Sequence, residues 1–136
     1  MGDQQPVLVY VEDDEASIVV MKAIVELVMR LQTLHVLRNS ADFVQQVKQL
    51  GVTPDIFLFD IQMNPYDGFD LLSMLRNDQQ YRDSKVVALT ASVMSEEVAR
   101  LKASGFDGAI AKPLNIEVFP DLIARIMNGE HVWYIV

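Results

Sequence analysis

Short apolar runs that look like buried β-strands alternate along this chain with patterns typical of helices. The clearest runs, at residues 7–11, 56–59 and 86–89, consist of β-branched, aromatic and other large apolar residues and show no polar alternation. Weaker candidates lie at 34–37 and 109–111. Uniformly apolar strands are typical of a parallel sheet that helices cover on both faces. The alternation therefore restricts the chain to the α/β class.

Two segments carry the spacing of a buried helix face. The residues concerned are Ile24, Leu27, Val28 and Leu31 in the first segment, and Phe119, Leu122, Ile123 and Ile126 in the second. An i, i+3, i+4, i+7 pattern predicts an amphipathic helix whose apolar side faces the core. We therefore predict a helix in each segment, with these residues buried.

Start and stop signals indicate further helices between the strands. Ser40 can cap a helix over 41–50, and Gly51 can end it because glycine readily adopts the left-handed conformation found after a helix. Gly68 precedes a helical pattern at 69–77. These signals predict one helix on each side of the third strand.

One more helix is predicted to begin at Ser95, because Glu96 and Glu97 would lie near the positive end of its dipole, and to end at Gly105. The chain then contains five βα units. Crossovers between parallel strands are right-handed, so the helices cover both faces of the sheet. The sequence predicts a doubly wound five-stranded parallel sheet, (βα)5, with sites at the carboxyl ends of its strands.

Polar residues follow four of the predicted strands. In chain order they are Glu12, Asp13 and Asp14 after the first strand, Asp60 after the third, Thr90 with Ala91 after the fourth, and Lys112 with Pro113 after the fifth. Because parallel strands end at one edge of a sheet, we expect these residues to lie close together. A carboxylate at the edge of a core costs stability unless something compensates it.

The net negative charge of this cluster indicates which kind of ion would neutralise it. Glu12, Asp13 and Asp60 carry three negative charges, and Lys112 offsets one of them. A divalent ion would bring the sum to zero, and Mg2+ suits hard oxygen ligands and phosphoryl groups. A carboxylate beside Mg2+ can itself attack phosphorus and form an aspartyl phosphate. The cluster therefore points to phosphoryl chemistry.

The small residues beside the cluster fit this interpretation. Ala91 leaves access next to Thr90, and Pro113 restricts Lys112 to an extended backbone. A Lys–Pro bond is also one of the few that can be cis.

Composition excludes several other classes of protein. The 136 residues suit one domain, and 51% hydrophobic residues can form a core. A net charge of -8 argues against non-specific nucleic-acid binding. The chain has no cysteine, no apolar stretch long enough to span a bilayer and no signal peptide at its start. We expect a cytoplasmic protein with no membrane or nucleic-acid partner.

Taken together in this order, the segments VLVYVEDDEAS, FLFDIQMNPYDGFDLL, VVALTAS and KPL resemble the response-regulator receiver domains of two-component signalling. The resemblance covers residues 7 to about 127 and is to the stand-alone, single-domain type. It implies a flavodoxin-like receiver fold over 1–128, with 129–136 as an apolar tail and no separate effector domain.

The resemblance also implies a role for each matching residue. Asp60 would be the phosphoacceptor and a Mg2+ ligand, Asp13 would bind Mg2+ directly, and Glu12 would help through water. The backbone carbonyl of Gln62 would be a further ligand. Thr90 would hydrogen-bond the phosphoryl group, and Lys112 would pair with it.

Two positions depart from the family pattern. Ala109 stands where many receivers have Tyr or Phe, three residues before the lysine. Asn64 takes the place of the family's usual proline, and Pro65 follows it. Asp67 and Gly68 keep their spacing and are best explained by turn chemistry, so we expect an altered turn beside an intact site.

The resemblance implies a phosphoaccepting switch and not an enzyme in the usual sense. A histidine kinase or histidine phosphotransfer protein would phosphorylate Asp60, and the change would alter affinity for a downstream protein. One alternative is a degenerate receiver that binds partners without phosphorylation. Another is a Mg2+-dependent aspartyl-phosphate phosphohydrolase, although such enzymes want an acid where this chain has Gln62.

The C-terminal segment HVWYIV, residues 131–136, is unusually apolar. We predict that it packs back onto the domain. The alternatives are an added strand or a contact with a partner, including a second copy of the chain, because exposed apolar surface usually has a use.

Overall fold

A computed structural model describes residues 5–92 and 94–135, and within them strands and helices alternate as the sequence predicts. None of the described helices has the length and apolar character needed to cross a membrane. The first helix continues into a π-helical segment, Ala23–Val28. The elements in chain order are β1 (Leu8–Val11), α1 (Glu15–Lys22), β2 (Leu34–Leu37), α2 (Phe43–Gln49), β3 (Ile56–Asp60), α3 (Gly68–Arg76), β4 (Lys85–Thr90), α4 (Ser95–Ser104), β5 (Gly108–Ala111), α5 (Phe119–Met127) and β6 (Val132–Tyr134).

The strands form one parallel sheet in the order β2-β1-β3-β4-β5-β6. The doubly wound parallel architecture and all five predicted strands are confirmed, and β6 makes the sheet six-stranded instead of five-stranded. After β1 the chain adds β2 on one side, and it then returns to add β3 on the other. This reversal opens a crevice at the carboxyl ends of β1 and β3, where ligands bind in doubly wound folds.

The sheet is buried on both faces. Along β3, Phe57 and Phe59 face α2 and α3, and Phe43 of α2 meets their rings edge-on at centroid distances of 6.0 and 5.4 Å. Ile56 and Leu58 face α1 and α5. The predicted buried face of α5 is confirmed, because Phe119, Leu122, Ile123 and Ile126 are all buried. Such two-sided burial explains why the strand sequences lack polar alternation.

The predicted buried face of the first helix is confirmed at Ile24, which is buried, and is wrong at Leu27 and Val28. Leu27 is 74% exposed and Val28 is 50% exposed, while Leu31 is partly buried. The residues that face the sheet are Ile18, Met21, Ile24 and Val25. The helix begins at Glu15 after Asp14, whose side chain accepts a hydrogen bond from the Ser17 N–H, and this start fixes which stripe points inward.

Ser40 does not cap α2 as predicted. The helix begins later, after Asp42, whose backbone is left-handed with φ 50°. Ser40 is fully buried, and its hydroxyl accepts a hydrogen bond of 2.9 Å from the Tyr66 N–H. It therefore ties the loop after β2 to the loop after β3. The helix ends as predicted at Gly51, with φ 69°.

The start of α4 at Ser95 is confirmed, and so is its end at Gly105, whose φ is 104°.

The tail packs back onto the domain, as predicted, and it does so as an added strand. In β6, Val132 and Trp133 pair with Gly108 and Ala109 of β5. A Cβ atom at Gly108 would lie 2.7 Å from the Val132 carbonyl oxygen, so this close approach requires glycine. Residue 136 and residues 1–4 lie outside the described part of the chain, and the domain boundary at 128 remains a prediction.

We predict that removing β6 destabilises the fold. A chain that ends at Gly129 loses the strand, and Gly108→Ala places a methyl group against the Val132 carbonyl. Overpacking of this kind costs about 1–3 kcal/mol. Both changes should lower the midpoint of thermal unfolding measured by circular dichroism.

The two changes also provide a control for each other. In the shortened chain Gly108→Ala should cost less, because the carbonyl that it meets has gone. An unchanged midpoint after truncation, together with a loss of self-association by light scattering, would assign the tail to contacts between chains.

Candidate functional site

Buried polar side chains concentrate at one edge of the sheet. Among the described residues the buried polar or charged side chains are Glu12, Ser40, Asp60 and Thr90. Glu12 directly follows β1, Asp60 ends β3 and Thr90 ends β4. Burying charge without a partner is costly, so this edge is held by specific interactions.

Lys112 joins the two buried carboxylates. It directly follows β5, and its Nζ atom lies 3.1 Å from Glu12 Oε1 and 3.5 Å from Asp60 Oδ1. Its backbone N–H donates to the Thr90 carbonyl at 2.8 Å, and its peptide bond to Pro113 is cis. The predicted meeting of Glu12, Asp60 and Lys112 is therefore present in the structure.

Glu12 is fully buried, yet both of its oxygens have partners. Oε1 accepts from the Tyr10 hydroxyl at 3.0 Å as well as from Lys112, and Oε2 accepts from the Asp14 N–H at 3.2 Å. Burial works to raise the pKa of Glu12, but hydrogen bonding with Asp60 and the Asp14 N–H, together with Lys112, outweighs it and lowers that pKa. Burial and the nearby carboxylate of Glu12 raise the pKa of Tyr10, so the phenol keeps its proton.

Sequence analysis missed Tyr10 because it lies in a strand that the apolar pattern explains. A signal was present, however. Residues i and i+2 of a strand point to the same face, so the Tyr10 hydroxyl was bound to lie on the side of Glu12.

The partners of Asp60 compensate only part of the cost of its buried negative charge. Its Oδ1 accepts from the Gln62 N–H at 3.2 Å. Burial and the neighbouring Glu12 raise the pKa of Asp60 to about 6, and Lys112 only partly opposes them. The Gln62 side chain is exposed, as predicted. Asp60 is therefore a carboxylate that added positive charge would stabilise.

Three carboxylates could hold a metal ion together. Glu12, Asp13 and Asp60 each offer an oxygen, and these atoms lie within 4.8 Å of one another. Asp13 is exposed to solvent, whereas Glu12 and Asp60 are buried. A set made only of carboxylate oxygens suits a hard divalent cation. Asp14 instead caps α1.

A cavity of about 360 Å³ opens beside Lys112. Its lining is mostly apolar and consists of Tyr10, Ala16, Ser17, Val20, Ala91, Lys112, Pro113 and Leu114. Ala91 does leave space at this point, as the sequence suggested. The neighbouring Thr90 hydroxyl accepts from the Ser92 N–H at 3.0 Å and donates to the Ser92 carbonyl at 3.3 Å.

The turn after β3 forms around Asp67 and Gly68, as predicted. Asp67 caps α3 and exchanges hydrogen bonds with Asp70. A Cβ atom at Gly68 would lie 2.8 Å from the Ile61 side chain and 3.1 Å from its Cα, so only glycine fits. The bond between Asn64 and Pro65 is cis. These residues shape the turn and lie outside the carboxylate cluster.

Comparison with known proteins agrees with this geometry. The family model described as "Response regulator receiver domain" matches residues 7–124. The polar-differentiation response regulator DivK of Brucella anthropi is 26% identical over 118 residues, covering 87% of this chain and 93% of that protein. The Brucella ovis DivK is 29% identical over 75 residues, which span 55% of this chain and 61% of that relative.

A solved structure shows the same fold. The chemotaxis protein CheY4 of Vibrio cholerae superimposes with a TM-score of 0.79 at 18% identity, over 90% of this chain and 99% of the other. Together with the match over residues 7–124, the comparisons show that the chain belongs to the response regulator receiver domain family.

Proposed function

We propose that the chain is a phosphoaccepting response regulator in a two-component phosphorelay and that Asp60 accepts the phosphoryl group. The observation that carries this proposal is the contact of Lys112 with both Glu12 and Asp60 at the end of the crevice. A lysine shared by two carboxylates can turn to a phosphoryl group attached to one of them, because that group brings more negative charge.

Mg2+ fits the oxygen donors at this site. Asp13 and Asp60 would bind it directly, Glu12 would act through water, and the Gln62 carbonyl would complete the protein's contribution. Support comes from the three carboxylate oxygens within 4.8 Å of one another and from the raised pKa of Asp60. When bound, Mg2+ supplies positive charge that offsets the carboxylates and the incoming phosphoryl group.

Asp60, Lys112 and Thr90 would each have a distinct role in the phosphoryl transfer. An Asp60 carboxylate oxygen forms a bond to phosphorus while the P–N bond of a phosphohistidine breaks. The imidazole leaves with the electron pair of that bond, and Asp60 becomes an acyl phosphate. Lys112 pairs with a phosphoryl oxygen, and the Thr90 hydroxyl turns from Ser92 to donate to another. Movement of Thr90 would change the loop after β4 and so the surface offered to a downstream protein.

An apolar surface beside the site supports a protein donor. Val19 and Val20 of α1 are 59% and 43% exposed, and Val20 lines the cavity that reaches Lys112. Exposed apolar patches of this kind mark protein contacts. A histidine kinase or phosphotransfer protein docked there would bring its histidine to Asp60. A cytoplasmic location and a homodimer remain predictions.

The two alternatives have weaker support. A phosphohydrolase needs an acid two residues after the nucleophile, and Gln62 has an uncharged, exposed side chain. A degenerate receiver would have no reason to keep Glu12, Asp60 and Lys112 in mutual contact at a buried edge, given the cost of burying charge.

Phosphorylation of Asp60 can be tested by mass spectrometry of the intact protein. With Mg2+ and phosphoramidate, the wild type should gain one phosphoryl group and Asp60→Asn should gain none. Asp67→Asn is the matched control, because Asp67 caps α3 outside the cluster, and it should be labelled like the wild type. Labelling of Asp60→Asn at the wild-type level would reject Asp60 as the acceptor.

The charge at Asp60 also predicts how stability depends on pH. Since the folded-state pKa is about 6, above the usual value of about 3.9, ionised Asp60 destabilises the metal-free fold above pH 6. Asp60→Asn should therefore raise the free energy of unfolding at pH 7.5 by about 1–3 kcal/mol, and the gain should shrink toward pH 4.

With Mg2+ present, the wild type should be more stable than Asp60→Asn, the reverse of the order without the ion. It should stabilise the wild type in urea unfolding by mass action and should stabilise Asp60→Asn much less. Equal stabilisation of both by Mg2+ would show that the ion binds elsewhere.

A further inference from the structure

The Tyr10 hydroxyl is a buried polar group that the proposed chemistry does not use. It lies 3.0 Å from Glu12 Oε1, the same oxygen that Lys112 contacts at 3.1 Å. We propose that Tyr10 is a positioning residue, which holds Glu12 in place so that Lys112 can leave it for the phosphoryl group on Asp60. This inference rests on the proposed function.

Three hydrogen-bond donors surround the carboxylate of Glu12. Its Oε1 atom has two donors, the Tyr10 hydroxyl and the Lys112 ammonium, and its Oε2 atom has the Asp14 N–H. If Lys112 moves to a phosphoryl oxygen, Oε1 keeps one donor because of Tyr10. A buried carboxylate oxygen left without a donor would be costly, and that cost would oppose the movement of Lys112.

Tyr10 is held firmly inside the sheet. Its side chain is only 1% exposed, and its backbone lies in β1 between Val36 of β2 and Leu58 of β3. Because β1 lies between two other strands and the ring is almost fully buried, the hydroxyl stays with Glu12 when Lys112 moves. Tyr10 thus holds Glu12 Oε1 in place, and Lys112 becomes the mobile member of the cluster.

The size of the effect follows from the hydrogen bond. Hydrogen bonds to charged groups are worth enough to change an equilibrium by roughly tenfold or more. Without the Tyr10 hydroxyl, Lys112 is the remaining hydrogen-bond donor to Glu12 Oε1. Lys112 is then less available to the phosphoryl group. Phosphorylation should slow by about three- to tenfold, since only part of the hydrogen bond is felt along the reaction.

The test is Tyr10→Phe, which removes only the hydroxyl. The probe is phosphoramidate with saturating Mg2+, and phosphorylated protein is followed by intact mass over time. The maximal rate constant should fall by about three- to tenfold. The phosphoramidate concentration at half-maximal rate should stay unchanged, because the hydroxyl that the variant removes is bonded to Glu12 and the aromatic ring that lines the cavity is kept.

Tyr81→Phe is the matched control. Tyr81 is also a buried tyrosine, 2% exposed, and its hydroxyl has no hydrogen-bond partner among the described residues. This variant should be phosphorylated at the wild-type rate. Thermal melts of both variants check that neither loses the fold.

A double-mutant cycle shows whether Tyr10 acts through Glu12. In a Glu12→Ala background, Tyr10→Phe should have no further effect on the rate, because the hydroxyl has lost its acceptor. The inference is overturned if Tyr10→Phe matches the wild type, or if it slows Glu12→Ala by the same factor. A wild type that takes up no phosphoryl group at all would overturn the proposed function as well, which separates the two failures.

Discussion

The contact of Lys112 with Glu12 and Asp60 is the interaction on which the site depends. Two buried carboxylates and one exposed carboxylate, Asp13, converge at this edge, and Lys112 is the cation paired with them among the described residues. The site is therefore short of positive charge. Burial and this shortage raise the pKa of Asp60, and both support the proposed binding of a divalent ion.

The topology of the sheet produces this crowding. Because the strands are parallel, Glu12, Asp60, Thr90 and Lys112 reach the same edge from β1, β3, β4 and β5. The chain reverses its winding between β1 and β3, so α1 and α3 leave the carboxyl ends of these strands toward opposite faces of the sheet, and a crevice remains. On the far side of β5, β6 completes the sheet, and Gly108 allows its close approach.

Much of this arrangement could be predicted because it depends on local signals. The apolar strands, the caps at Gly51 and Gly105 and the polar residues after each strand follow from sequence alone. The buried face of α1 could not be read in this way, since the stretch from Ile18 to Leu31 is apolar on nearly every side and several stripes fit the helical period. Only the start of the helix and its packing against the sheet select the buried stripe.

Other misses have equally specific causes. Ser40 has the chemistry of a helix cap, but a tertiary contact with the Tyr66 N–H uses its hydroxyl instead. Tyr10 was missed because it lies in a strand whose sequence is already explained by burial of apolar side chains. Gly108 did carry a signal for β6, because a glycine within a strand often marks the close approach of another backbone, yet the partner strand is known only from the structure.

A crystal structure of the protein with Mg2+ and beryllofluoride would test the central role of Lys112 most directly. We predict that the beryllium atom bonds to an Asp60 oxygen and that Lys112 Nζ contacts a fluoride, having left Glu12. Beryllofluoride on another carboxylate, or Lys112 still bound to Glu12 without a contact to fluoride, would contradict the account.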